Sequence, residues 1–142
     1  MTEYVEQLEG QYRRTTEQLA LYRRACASPV LDLAALCAAR HGLLSASTAR
    51  AKFLQTEIYP LILRGQGDAF AARIEELDRD LAVKRRLSSG HIAQWSTAAV
   101  QADWPGYKVA SAQIVRLVET RLTLEKAVIL PALRTLAMRR VA

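Results

Sequence analysis

The chain has 142 residues, of which 51% are hydrophobic and 24% charged, and it carries a net charge of +6. That balance excludes a disordered chain and suits one domain over residues 1–142 with its own core. No apolar run reaches the roughly 18–20 residues of a membrane span, and few Gly, few Pro and abundant Ala, Leu, Arg and Glu favour helix over strand.

The first helix is expected over residues 2–25, where Val5, Leu8, Tyr12, Thr15, Leu19, Tyr22 and Cys26 step by three and four along one face. Ser28-Pro29 then reads as an N-cap followed by proline at the first helical position. The second helix is expected over residues 29–64, with Leu33, Leu36, Arg40, Leu44, Ser47, Ala51, Leu54, Ile58 and Leu61 inward. Gly42 and residues 45–48 weaken its middle and allow a break there; Pro60 should kink or end it. RGQGD forms the next turn, with Asp68 as a cap.

The third helix is expected over residues 69–101, its stripe being Phe70, Ile74, Leu77, Leu81, Lys84, Ser88, His91, Trp95 and Ala98. ADWPG breaks the chain. The fourth helix is expected over residues 107–139, with Ala110, Ile114, Leu117, Arg121, Leu124, Val128 and Leu136 inward and Pro131 interrupting it near its end. Four long helices joined by short turns predict an all-α fold, an antiparallel up-down-up-down four-helix bundle.

Each stripe is apolar toward its ends and polar in the middle. Helix one carries Tyr12 there, helix two Arg50, helix three Asp80, Lys84 and Ser88, and helix four Arg121 and Glu125. Counting helical rise from the turns puts these positions at roughly 21–24 Å along a bundle about 50 Å long, so they share one middle layer. Bundles build metal and cofactor sites in such layers. Iron, zinc and copper want imidazoles and carboxylates, whereas this layer offers cations and a phenol, which repel a metal ion. No metal and no cofactor is therefore expected.

The other chemistry-bearing features are sparse. Cys26 and Cys37 fit no zinc spacing and read as free thiols. His41 and His91 support no Ser-His-Asp set, and His91 with Trp95 reads as core. The pairs Arg13-Arg14, Arg23-Arg24, Arg85-Arg86 and Arg139-Arg140 are spread among acidic residues, which argues for solvated helix faces and against a nucleic-acid or membrane partner. The acidic, polar start MTEYVEQLEGQ is unlike a signal peptide, so the expected location is cytoplasmic.

Two segments repeat one another, LQTEIYPLILR and LEKAVILPALR, each running into a proline with an arginine ten residues upstream, Arg50 and Arg121. With the chain length, the four helices and the opening GQYRRTTEQLALYRR, they make nearly the whole chain resemble the hemerythrin-like domains, four-helix bundles that hold a di-iron centre. The family's endings read approximately His-x-x-x-Glu-Glu-x-x-apolar-apolar-Pro. Carried over, the resemblance sets the family's histidines on Tyr12, Arg50, Arg121 and near Asp80 and Lys84, its second-helix glutamate on Leu54, and its fourth-helix carboxylate on Glu125. Only Glu125 keeps a ligand at its matched place, so the resemblance implies a degenerate bundle without the family's oxygen, nitric oxide or iron chemistry.

Three uses of the layer remain open. Arg50, Arg121 and Lys84 can pair internally with Glu125 and Asp80, Tyr12 adding a hydroxyl, because a buried guanidinium is costly unless paired; function is then expected on the surface, as a non-catalytic regulatory or partner-binding module with an unidentified protein partner, and not as an enzyme. The same cations can instead surround a cavity and hold a small anion. His91, Asp80 or Glu125 can also form a nonstandard metal site. RIEELDRDLAVKRR additionally resembles the helical chorismate mutases over one helix, which also use Arg, Lys and Glu inside a bundle. The long helices leave surface enough for a homodimer.

Overall fold

A computed structural model describes residues 2–141. Every regular element among them is helical: α1 (Thr2–Ala27), α2 (Leu33–Phe53), a π-helical turn (Leu54–Ile58), α3 (Tyr59–Gln66), α4 (Asp68–Gln94), α5 (Thr97–Ala102) and α6 (Trp104–Val141). The inner stripe of α1 forms as its period dictates, with Leu8, Tyr12, Thr15, Leu19, Tyr22 and Cys26 buried. The pairs Gln18–Gly42 and Thr15–Arg50 run α2 back along α1. Tyr22–Tyr107 and Glu9–Arg134 do the same for α6.

Local chemistry moves several expected boundaries. The second helix starts at Leu33, because Asp32 caps it by accepting from Ala35 N at 3.1 Å. Ser28 is diverted: its hydroxyl donates to Val30 O, and its own carbonyl accepts from Trp104 Nε1 and Lys108 Nζ of α6. Gly42 does not break α2. It faces α1, and a Cβ there would fall on the Gln18 side chain. The third helix ends at Gln94 instead of continuing to residue 101, since Ser96 accepts from Ala99 N and starts α5. Asp68 lies inside the first turn of α4 and does not cap it; the turn before it needs Gly67, at φ 71°.

The two proline segments are not alike. Ahead of Pro60 the helix widens, and Tyr59 N donates to Leu54 O, five residues back. The wider turn accommodates a ring that cannot donate and would crowd the carbonyl four residues earlier. Pro131, by contrast, sits within α6, which continues unbroken through it.

Two apolar clusters fill the interior. One gathers Leu8, Leu54, Ile58, Ile62, Leu77, Ile129 and Leu133 around the N-terminal part of α1, the C-terminal part of α6, α3 and the start of α4. The other gathers Leu19, Tyr22, Leu36, Leu43, Val100, Tyr107 and Ile114 around the opposite ends of α1 and α6 and the start of α2. Leu43 is buried in place of the expected Leu44, which is exposed, and Val100 in place of the exposed Ala98. No helix among the described residues is long and apolar enough to cross a membrane.

Candidate functional site

Between the clusters lies a layer of ion pairs. Arg50 reaches it from the last turn of α2 and Glu125 from the middle of α6, with 3% and 1% of their surfaces exposed. Arg50 Nε donates to Glu125 Oε1 at 3.0 Å, and Arg50 Nη1 donates to Thr15 Oγ1 at 3.0 Å. Arg121, one helical turn before Glu125, donates through Nε to the other carboxylate oxygen, Oε2, at 2.5 Å. Arg121 Nη1 then donates to the Leu77 carbonyl at 2.8 Å and to Asp80 Oδ2 at 3.1 Å. Lys84 closes the chain by donating to both oxygens of Asp80, at 2.6 and 2.8 Å. The network runs Thr15–Arg50–Glu125–Arg121–Asp80–Lys84 across four helices.

Burial raises the cost of each charge, and the partners set the outcome. Burial pushes the Asp80 carboxyl up, but hydrogen bonds from Lys84 and Arg121 outweigh it and hold the group below the usual carboxylate range. Burial would lower the Arg121 guanidinium, yet Glu125 beside it holds it above its ordinary value. Tyr59, on the same side of the layer, is pushed up to about 12 by burial.

Of the residues singled out in the sequence, Arg50, Asp80, Lys84, Arg121 and Glu125 are thus joined in one network. Arg50 meets Glu125 and does not meet Asp80, which Arg121 and Lys84 occupy. Leu54 is fully buried and contributes apolar packing. Tyr12 is buried at the layer's edge, but its hydroxyl makes no hydrogen bond; burial, reinforced by Glu125, drives that phenol far up. The hydroxyl that Arg50 uses is that of Thr15, which also donates to the Gln11 carbonyl. A threonine on the inner stripe of α1, one turn after Tyr12, was the signal for it in the sequence.

The donor set does not fit a di-iron centre. Guanidinium groups from α2 and α6 occupy the centre of the layer, and each oxygen of Glu125 accepts from one of them. Among the described residues no group of three or more His, Cys, Asp or Glu is placed to hold a metal ion. His91 stands apart from Asp80 and Glu125, its ring against Tyr107 at 5.5 Å between centroids.

A cleft opens beside the layer, between α2 and the C-terminal half of α4 and over α6. It consists of two cavities, of about 140 Å³ and about 340 Å³. They share Leu44, Ser47, Ser88, Ile114 and Val118 as walls. The smaller touches Arg50, Lys84, Arg85 and Arg121; the larger ends at Tyr22, His91, Trp95 and Tyr107. The sequence offered a cavity ringed by Arg50, Arg121 and Lys84, and these three do line the smaller cavity; the extension toward Trp95 and Tyr107 was not marked, because half-burial of one side of a helix leaves no signature in periodicity. The chain matches no family model, no curated protein and no solved structure.

Proposed function

We propose that the chain is a metal-free binding module built as an up-down-up-down four-helix bundle of hemerythrin-like architecture, and that it acts through what it binds and not through a reaction at its centre. The oppositely directed contacts of α1 with α2 and with α6, and of α4 with α6 through Asp80–Arg121 and His91–Tyr107, support the bundle. One observation carries the loss of the metal centre: a single buried carboxylate, Glu125, accepts from two buried guanidiniums, one on each oxygen. Each oxygen of that carboxylate is already committed to a guanidinium, and any metal entering would meet the like charge of Arg50 and Arg121. The network fills the centre with paired charges and gives the helices a fixed register, the best-attested role for buried polar groups.

The test is metal content by mass spectrometry, with a visible spectrum, on protein made with iron supplied. Substoichiometric iron and no charge-transfer band are expected. Two irons per chain would overturn the proposal and show that the layer rearranges around a metal.

A further inference from the structure

We infer that the cleft beside the ion-pair layer binds an amphipathic organic carboxylate, its head at the cationic end and its apolar tail along α6 toward Trp95 and Tyr107. The inference rests on the binding-module reading and names its ligand class.

The charges point to an anion. Four cations, Arg50, Lys84, Arg85 and Arg121, line the smaller cavity, a fifth, Arg40, lines the larger one and lies over the Tyr107 ring, and no carboxylate lines either. Glu125 and Asp80 neutralise part of this charge from behind, by holding Arg50, Arg121 and Lys84. Arg85 makes no ion pair among the described residues and sits at the mouth. A guanidinium suits a planar carboxylate, which it can grip through two parallel hydrogen bonds.

The walls point to an apolar tail. Beyond the cations the floor is Ile114, Leu117 and Val118, and Leu44 stands over it with half its surface exposed. The far end is aromatic: Trp95 meets Tyr107 edge-on, with ring centroids 5.5 Å apart. From Lys84 to Trp95 the cleft follows α4 for roughly 16 Å. The combined space falls in the range of small-molecule sites, which pair a mostly apolar lining with a few placed polar groups. The inner side of α4 supplies the reason the space exists. Phe70, Ile74 and Leu77 are buried, but from Leu81 onward Lys84, Ser88, His91 and Trp95 are only half-buried. A tail laid along this wall would complete the burial that the helix leaves unfinished.

Titration calorimetry with decanoate on the full chain tests this, with decanol and inorganic phosphate as comparison probes. Saturable binding of decanoate is expected, with decanol and phosphate each much weaker. Arg85→Met, at an exposed position outside the ion-pair network, should weaken decanoate about tenfold, the loss of one charge-assisted contact. Ser88→Phe, which fills the junction of the two cavities, should abolish binding while the circular dichroism stays helical. Equal binding of decanol would overturn the carboxylate head, binding of phosphate alone would overturn the tail, and no binding of any probe would overturn the site. These failures are separable from failure of the metal-free reading, which shows as iron in the protein whether or not decanoate binds.

Discussion

The two ends of the molecule are built from the same kind of helix and reach different degrees of closure. On one side of the ion-pair layer, α3 and the first half of α4 seal the core, and Ile58, Ile62, Ile129 and Leu133 are wholly buried. On the other side α1, α2, α5 and α6 still meet closely through Tyr22, Leu36, Val100 and Tyr107, but α4 stands off and leaves a cleft. The layer is the boundary. A helix that places Asp80 and Lys84 where its stripe should turn inward can satisfy them only near Arg121 and the surface, so the stripe beyond them is held away from the core. The polar layer therefore marks where the closed half of the molecule ends and the open half begins.

The largest expected effect comes from breaking that boundary. Glu125→Leu leaves Arg50 and Arg121 buried without their shared partner, and should cost about 3–5 kcal/mol in urea unfolding. The triple change Glu125→Leu, Arg50→Met, Arg121→Met removes the charges together. It should recover most of that loss, because an apolar layer of similar volume is often no less stable than a buried ion network. If the triple variant were as unstable as Glu125→Leu, the layer would be a true stabilising element and not a device for register.

A finer comparison uses one helix and one turn. Leu77 is 2% exposed and lies on the closed side; Leu81, four residues later, is half-buried at the cleft. Leu77→Ala should cost about 2–5 kcal/mol, since the cavity it leaves is enclosed. Leu81→Ala should cost about 1 kcal/mol, because less apolar area is removed from water there. Equal losses by chemical denaturation would mean that α4 closes over both halves in solution.

How much of this was legible in the sequence depends on how much contrast each helix carries. The α1 stripe was readable because charged residues separate its apolar positions. Lys84 and Arg121 were readable for the same reason, as cations interrupting apolar stripes. On α2 the contrast fails: alanines and leucines occupy every face, so Leu43 and Leu44 could not be told apart. The end of α4 was missed because Ser96 competes for the backbone, a local hydrogen bond that an apolar repeat does not register. Pro60 and Pro131 look equivalent in sequence, and their different outcomes depend on the backbone around each, π-helical before one and α-helical through the other.

The smallest expected effect separates the two halves by their titration. On the cleft side, burial, aided by Arg40, holds His91 below the ordinary histidine value, and its Nε2 is buried without a hydrogen-bond partner. Between that lowered value and the unfolded value of about 6.5, the unfolded chain binds more protons than the folded one. Stability should therefore fall as pH drops through about 6.5, and stop falling once His91 itself protonates. Asp80 behaves differently, because its folded value is lowered as an acid. Its contribution is present above the unfolded value of about 3.9 and is lost only as pH falls through the lowered folded value, so it is unchanged across the histidine interval. Urea midpoints of wild type and His91→Leu, compared near neutrality and about one unit below the histidine value, isolate the first effect. The variant should lose the slope in that interval and keep the acid transition. An unchanged slope would place the proton-linked group elsewhere and mean that the cleft leaves His91 hydrated.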